Sequence, residues 1–425
     1  MRHIFILLTL GWLVHAVTSF RPHTGEASDV AGVSLAFGAL LLAALFCGRL
    51  AVRVKLPKIV AYILAGVVAG PYGLGLVSEE TVSNLGLING IAVCLIALIA
   101  GSELNLRRMR PLLGVIARLS IFAVVGTCVL LALAVFGMSA VFLPFLEPYD
   151  GLALVAVAAT LGIALSAQSP AVVTALLTET RADGPVSRVM LGTVVIADLV
   201  IIVLFGVASA LVQMSTGGET DAGRAMLAIA WELFGSMGVG AVVGGILALH
   251  ARFVRRDAAL FVLIVCVVVS EVGRRVHLDP LIVMLTAGVA LENATKDGAA
   301  SLVQELEQAS VPVFLVFFAV AGATLHLASL ATVGVPAVIL ASIRAGGFWV
   351  GARLATRGAD PHVRRWAFAG LLPQAGLALA LAMIIKRTLP IAADEAATLV
   401  LSVIAINELT MPLLVKHALA SAGET

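Results

Sequence analysis

The sequence predicts an all-α polytopic membrane protein, and two features of composition and one of pattern carry that prediction. Of the 425 residues, 61% are hydrophobic and only 12% are charged, an apolar share well above that of soluble domains. Apolar stretches of about 17 to 25 residues, long enough to cross a bilayer as a helix, follow one another with short connections. We therefore expect thirteen or fourteen transmembrane helices and no appended soluble domain.

The expected spans are numbered 0 to 13 in chain order. They are Ile4–Phe20, Ala31–Val52, Ile59–Val77, Leu85–Leu104, Leu112–Gly137, Gly151–Thr178, Val186–Met214, Ala225–Leu249, Leu260–Val276, Pro280–Leu291, Val311–Leu327, Gly334–Leu354, Trp366–Ile385 and Ala396–Leu414. Span 0, within residues 1–30, is interpreted either as a retained helix or as a cleaved signal segment, since a basic residue precedes its apolar core. We favour the retained helix because no clean cleavage site follows it.

Basic residues predict the orientation of these spans. Lysine and arginine are retained on the cytoplasmic side of a membrane, and alternate loops carry clusters such as Arg107, Arg108 and Arg110. The loop that contains Ser78, Glu79 and Glu80 lies between two such loops and is acidic. We therefore expect a multi-pass protein of the inner (plasma) membrane with a cytoplasmic C-terminus. The net charge of only +2 and the absence of a basic stripe give no indication of a nucleic-acid partner.

Two spans contain helix breakers near their middle. Proline removes an amide donor and clashes with the preceding turn, and opened backbone is tolerated at membrane depth only where it lines a cavity or is covered by protein. By our numbering spans 5 and 12 run in opposite directions, as expected if spans 1–6 and 8–13 are inverted repeats whose broken helices cross at a binding site. Two ordinary proline kinks are the alternative. The polar and breaking residues of the two spans are Ser166, Gln168, Ser169 and Pro170, and Pro373, Gln374 and Gly376.

Asp198 is an ionisable residue inside the apolar run "GTVVIADLVIIVLFGV" of span 6. A carboxylate at that depth costs about 2.5 to 3.5 kcal/mol on insertion scales, so its presence indicates a function. Arg344 is expected at a similar depth in span 11, and we predict an ion pair between the two when the site is unoccupied. A permanent salt bridge between the repeats is the structural alternative. Glu408 is interpreted as a possible second carboxylate for Arg344, or as a helix-packing group.

Five segments of this sequence resemble successive signatures of the bacterial cation:proton antiporter-2 family, the sodium/hydrogen exchanger domain. They are "LPKIVAYILAGVVAGPYGLGL" (Leu56–Leu76), "IALIAGSELNLRRMR" (Ile96–Arg110), "SPAVVTALLTETRADGPVSRVMLGTVVIADLVIIVLF" (Ser169–Phe205), "VPVFLVFFAVAGATLHL" (Val311–Leu327) and "GLLPQAGLALALA" (Gly370–Ala382). The resemblance extends from Ala31 to Ala418 and implies the sodium/proton antiporter fold. It also implies that Asp198 matches the ion-binding aspartate and Arg344 the basic residue that faces it.

The resemblance further implies a domain organisation. Residues 31–418 form the exchanger domain of a homodimer, and residues 419–425 form a short cytoplasmic tail. A moving core comprises residues of about 111–214 and 334–418, and a dimerisation part comprises residues of about 31–104 and 257–328.

The expected function is secondary antiport of a monovalent cation and protons by alternating access, with no enzymatic activity and no cofactor. Charged Asp198 is expected to bind the cation with help from Ser166, Gln168, Ser169 and Gln374, and to release it on protonation. Many sodium exchangers have Asp or Asn before the aspartate and potassium-efflux relatives have Gln, whereas this chain has Ala197. Sodium is therefore favoured, while potassium and lithium stay open. The alternatives are a potassium efflux system with a separate regulatory subunit, a sodium-coupled solute symporter and a non-transporting membrane sensor.

Overall fold

The computed structural model describes residues 27–54, 56–78, 86–216, 227, 230–253, 258–276, 278–294, 299–325, 330–389 and 391–425. These residues form helices and their connections, and none of them is in a β-strand. The all-α prediction is therefore confirmed. The expected span 0, Ile4–Phe20, lies outside the described residues.

Fifteen helical segments are labelled α1 to α15 in chain order. They are α1 (Ala27–Arg53), α2 (Lys58–Ala69), α3 (Gly86–Ser102), α4 (Arg110–Met138), α5 (Gly151–Ser166), α6 (Pro170–Thr180), α7 (Pro185–Ser215), α8 (Trp231–Phe253), α9 (Ala258–Val276), α10 (Pro280–Ala294), α11 (Ala299–Ala323), α12 (Leu330–Ala355), α13 (Pro361–Leu371), α14 (Gly376–Thr388) and α15 (Ala393–Ala422). Each expected span from 1 to 13 corresponds to one helix or to one broken pair, α5 with α6 or α13 with α14.

The length and composition of these helices fit a membrane. Within the described residues, six helical stretches are long and apolar enough to cross a bilayer, and the bent pair α13 and α14 makes a seventh. Shorter apolar helices lie within α2, α3, α9, α10 and α11. In lipid every backbone amide and carbonyl must be satisfied within the protein, so a helical chain is the form expected for such a composition. The chain is a multi-pass membrane protein.

Glycines bring several helices into backbone contact. A side chain at Gly66 on α2 would overlap the carbonyl oxygen of Ala319 on α11, and one at Gly288 on α10 would overlap that of Leu98 on α3. Small residues are the usual means of close helix approach in membranes, where van der Waals contact drives association. Helices α1, α2, α3, α8, α9, α10 and α11 pack mainly on one another, and we call this group the glycine-packed helices.

The remaining helices surround the two broken spans. Helix α5 packs on α4 and α7, α12 packs on α4 and α15, and α14 packs on α15. The two groups meet where α6 contacts α2 and α3 and where α15 contacts α2. These contacts place both helix breaks and Asp198 beside the glycine-packed helices. The expected assignment of one group as a moving core and the other as a dimerisation part stays a prediction.

Candidate functional site

The first break separates α5 from α6. Helix α5 ends at Ser166 and α6 begins at Pro170, with extended backbone at Ser169 between them. Proline lacks an amide hydrogen and disfavours helical backbone in the residue before it, so a helix can start but not continue there. The Ser169 hydroxyl accepts a hydrogen bond from the Val172 amide at 3.2 Å. Ser169 therefore caps α6 and fixes its start at the centre of the span.

The second break separates α13 from α14. Helix α13 ends at Leu371 and α14 begins at Gly376, and the two halves bend by 40°. Pro373 lies inside the non-helical connection between them. Each break leaves unpaired carbonyls at the C-terminal end of the first half-helix and unpaired amides at the N-terminal end of the second. The carbonyl ends and the amide ends of the half-helices lie near different side chains.

Arg344 occupies the carbonyl ends. Its guanidinium donates through Nε to Leu165 O at 2.8 Å, through Nη1 to Leu372 O at 2.6 Å, and through Nη2 to Ala167 O at 2.8 Å and Leu371 O at 3.1 Å. The side chain is 0% exposed. Helix C-termini carry partial negative charge, so this cation satisfies both broken helices at once. Arg344 on α12 thereby joins α5 to α13.

The expected ion pair between Arg344 and Asp198 is not formed in this structure. Among the described residues, neither carboxylate oxygen of Asp198 or of Glu408 has a hydrogen-bond partner. The reason is competition, because four carbonyls left by the two breaks already occupy the guanidinium donors of Arg344. Glu408 is 1% exposed and does not line the cavity described next.

Asp198 lies on α7 at the opposite, amide-bearing ends of the breaks. The residue is 2% exposed and lines a cavity of about 390 Å³, which we call the Asp198 cavity. Ser169, Pro170 and Gly376, which begin α6 and α14, line the same cavity. Helix N-termini carry partial positive charge and stabilise nearby anions. The site therefore presents a carboxylate, which no described residue pairs, to a space that a small cation can enter.

Three of the other predicted site residues are tied to the crossing itself. The Ser166 hydroxyl donates to Ile163 O at 2.8 Å and contacts Cys128 Sγ at 2.8 Å. Gln168 Nε2 donates to Ser166 O at 2.7 Å. Gln374 Nε2 donates to Leu165 O at 3.1 Å. None of these three side chains lines the Asp198 cavity, so Ser169 is the one predicted ion ligand among the described residues that joins Asp198 there.

Asp279 is a cavity residue that the sequence reasoning missed. It precedes α10 in the glycine-packed helices and lines the Asp198 cavity. Its Oδ1 accepts from the amides of Leu281 at 2.7 Å and Ile282 at 3.4 Å. An aspartate directly before proline at the start of an apolar run is a helix-capping pattern. That pattern could have located the residue, but not the cavity that it faces.

A half-buried carboxylate, Glu179, lies on the other side of the crossing. Glu179, at the end of α6, accepts the Lys58 amide at 3.0 and 3.2 Å and lies 3.7 Å from Lys416 Nζ. Its side chain is 13% exposed. We call Glu179, Lys58 and Lys416 the Glu179 cluster. It connects α6 and α15 to the start of α2 and was not anticipated from the sequence.

Two broken helices that cross deep in a membrane protein, beside a carboxylate that no described residue pairs, are the arrangement expected at the ion site of a transporter. Residues 4–420 match the family model described as sodium/hydrogen exchanger, transmembrane. The chain belongs to this family. The expected family is thereby confirmed.

Known proteins of two kinds resemble this chain. An iron transporter, MagA, from Paramagnetospirillum magneticum is 32% identical over 165 residues, which cover 38% of this chain and 34% of that protein. The chain thus matches about a third of the length of that relative. The structure of the sodium proton antiporter MjNhaP1 from Methanocaldococcus jannaschii at pH 8 has a TM-score of 0.67 and 16% identity, covering 92% of this chain and 97% of that one. An electron-microscopy map of the same antiporter has a TM-score of 0.69 and 16% identity, covering 94% of this chain and 97% of that one. At this identity the likeness shows the antiporter fold.

Proposed function

We propose that this protein exchanges one monovalent cation for one proton at Asp198 by alternating access. Sodium is the cation that we favour. The observation that carries the proposal is the Asp198 carboxylate itself, which is buried, lines a cavity and has no hydrogen-bond partner among the described residues. A buried carboxylate without a partner is costly unless it is neutralised. A cation or a proton can each neutralise it, and they exclude one another.

This exclusion couples the two movements. When Asp198 holds a cation or a proton, the site is neutral and the surrounding helices can cross the membrane with it. When Asp198 is charged and unoccupied, crossing would move an uncompensated charge through the bilayer. Ser169 is the hydroxyl that we assign as a further cation ligand, and Arg344 stays bound to its four carbonyls throughout. Each cycle then moves equal charge in both directions, so the exchange is electroneutral.

The cavity and the Glu179 cluster suggest which state this structure represents. The Asp198 cavity is lined by residues at the Asp279 and Thr324 ends of α10 and α11, which the distribution of basic residues places outside. The Glu179 cluster lies at the ends predicted to be cytoplasmic. We infer an outward-facing state of a homodimeric inner-membrane protein with a cytoplasmic C-terminus.

Iron is the second cation to test, because MagA is named an iron transporter. Sodium comes first because the described part of the chain contains no group of three or more His, Cys, Asp or Glu side chains that could hold a metal ion. The described residues of the Asp198 cavity offer carboxylate and hydroxyl oxygens but no imidazole or thiolate, and such oxygen ligands suit hard cations better than iron.

The test is proton movement in proteoliposomes. We expect sodium to release protons from acid-loaded vesicles, as followed with a pH-sensitive dye, and each alkali cation and ferrous iron is added in turn. Asp198→Asn keeps the size of the side chain but cannot exchange a proton, so its signal should fall to that of protein-free vesicles. Asp150→Asn, at an exposed aspartate that caps no amide with its side chain, is the matched control. Exchange by Asp198→Asn at the wild-type rate would refute the proposal.

A further inference from the structure

Asp279 is held rigidly by the glycine-packed helices. Its Oδ1 accepts two amides at the start of α10, and its own amide donates to Ser236 Oγ on α8 at 2.9 Å. Helix α10 is in backbone contact with α3 through Gly101 and Gly288. The position of this carboxylate is therefore fixed by local capping and by close packing, independently of α7, which carries Asp198.

The two aspartates face one cavity from opposite helix groups. Oδ1 of Asp279 is used in capping, whereas Oδ2 has no hydrogen-bond partner among the described residues. Both oxygens of Asp198 are buried, and no described residue forms a hydrogen bond with either. Apart from these carboxylates, Ser169 and Thr324, the residues that line the cavity are apolar or glycine. When both aspartates are charged, the cavity carries two negative charges with no described cation on its wall.

The volume of the cavity indicates whether a hydrated cation can bind between the two carboxylates. A water molecule takes about 30 Å³, so about 390 Å³ holds on the order of a dozen waters. A divalent cation with one shell of six waters needs about half of that space. Magnesium-like cations keep several waters and bind through one or two carboxylates. The cavity therefore has both the room and the charge for a hydrated divalent cation.

We propose that Asp198 and Asp279 together form a binding site for a hydrated divalent cation, such as Mg²⁺ or Mn²⁺, in the Asp198 cavity. A divalent cation bound at this site inhibits exchange because it excludes the transported ion from Asp198. This part of the proposal rests on the proposed function of Asp198. The bound cation holds α7 beside α10 and stops the exchange. The site exists only when Asp198 faces Asp279, so inhibition acts from the cavity side of the membrane alone.

Mn²⁺ binding to the purified full-length protein tests the site directly. Free Mn²⁺ is measured by electron paramagnetic resonance in detergent, for wild type, Asp279→Asn, Asp198→Asn and the Asp150→Asn control. Asparagine is as good a helix cap as aspartate, so Asp279→Asn keeps the start of α10 and removes only the charge. We expect both cavity variants to bind Mn²⁺ about 10- to 100-fold more weakly and the control to bind like wild type. Wild-type Mn²⁺ affinity in Asp279→Asn would overturn the proposal.

The binding assay involves no transport, so its result is independent of whether sodium is carried. If Asp198→Asn still exchanges sodium, the proposed function fails while the Mn²⁺ titration still decides the site. A transport measurement then adds sidedness, with Mn²⁺ applied to either face of oriented vesicles. We expect inhibition from the cavity face only, relieved in Asp279→Asn. Equal inhibition from both faces would contradict a site built on the fixed Asp279.

Discussion

The carboxylates on the two sides of the helix crossing, half-buried Glu179 and buried Asp198, differ in whether they have partners. On one side Glu179 accepts the Lys58 amide and lies near Lys416, so its charge is used to hold helices together. On the other side Asp198 has no partner among the described residues and faces a cavity. Satisfied buried charges contribute to structure, whereas unsatisfied ones are costly and mark a functional site. The partners of each carboxylate, rather than its residue type, separate the two roles.

Helix α6 connects these two sides. It has 11 residues and a length of about 16 Å, with Ser169 and Pro170 at the cavity and Glu179 at its other end. Because a helix this short moves as one body, a displacement at the cavity changes the Glu179 contacts. The comparison therefore predicts that the Glu179 side opens when its own contacts break, and that this opening moves the cavity end of α6.

The largest effect is expected from Arg344→Ala, which removes the cation that joins both broken helices. Four carbonyls would lose their buried donor, and each unsatisfied group costs about 1 to 3 kcal/mol. We expect loss of monodisperse protein on size-exclusion chromatography, or a strongly lowered melting temperature. If Arg344 served mainly to pair with Asp198, the double variant with Asp198→Asn would recover stability. We expect no such recovery, because no hydrogen bond joins the two side chains.

Glu179→Gln is expected to have an intermediate effect by weakening the closed side. Losing the ion pair with Lys416 and the charged acceptor of the Lys58 amide should favour opening by about 1 to 2 kcal/mol, which is about 5- to 30-fold in population. The readout is labelling of Thr178→Cys, which lines the space beside Glu179, by a membrane-impermeant maleimide.

A matched surface control separates this opening from a general change of charge. Asp183 is exposed and pairs with Arg188 at 2.6 Å, and surface pairs contribute about 0 to 1 kcal/mol. Asp183→Asn should therefore leave the labelling rate within about twofold of its parent. Equal labelling in the Glu179 and Asp183 variants would show that the Glu179 cluster does not keep this side closed.

The smallest expected effect is that of membrane voltage on the exchange, which should be nil. One cation against one proton at Asp198 moves no net charge. If Glu408 carried a second proton, one charge would cross per cycle, and about 100 mV would bias the equilibrium by about 2.3 kcal/mol, or about fiftyfold. The proton gradient reached at a fixed sodium gradient is compared in vesicles clamped at zero and at negative potential. A strong voltage dependence would assign a transport role to Glu408.

Sequence reasoning located the helices and the two breaks because each rests on local chemistry. Apolar length predicts a span, and Pro170 interrupts a helix wherever the span is placed. The position of Asp198 beside the breaks followed from counting residues along α7. These features need no knowledge of which helices touch.

Pairing across the fold was not predictable in the same way. Arg344 was expected to pair with a carboxylate because carboxylates are visible in a sequence, whereas the backbone carbonyls freed by a break are not. The sequence around Asp279 has the pattern of a helix cap, and only the three-dimensional fold shows that Asp279 lines the Asp198 cavity. Glu179 similarly meets the Lys58 amide at a separation of 121 residues.

The four hydrogen bonds of Arg344 also bear on how the protein is made. Leu165 and Ala167 precede Arg344 by 179 and 177 residues, whereas Leu371 and Leu372 follow it by 27 and 28. When α12 reaches the bilayer, the two acceptors of the α5 break precede it in the chain and the two of the α13 break still follow it. An arginine at the centre of a helix costs about 2.5 to 3.5 kcal/mol on insertion. The earlier half of the chain therefore assists the entry of α12 into the bilayer. Arg344 has all four of its hydrogen-bond acceptors only after α13 has also inserted.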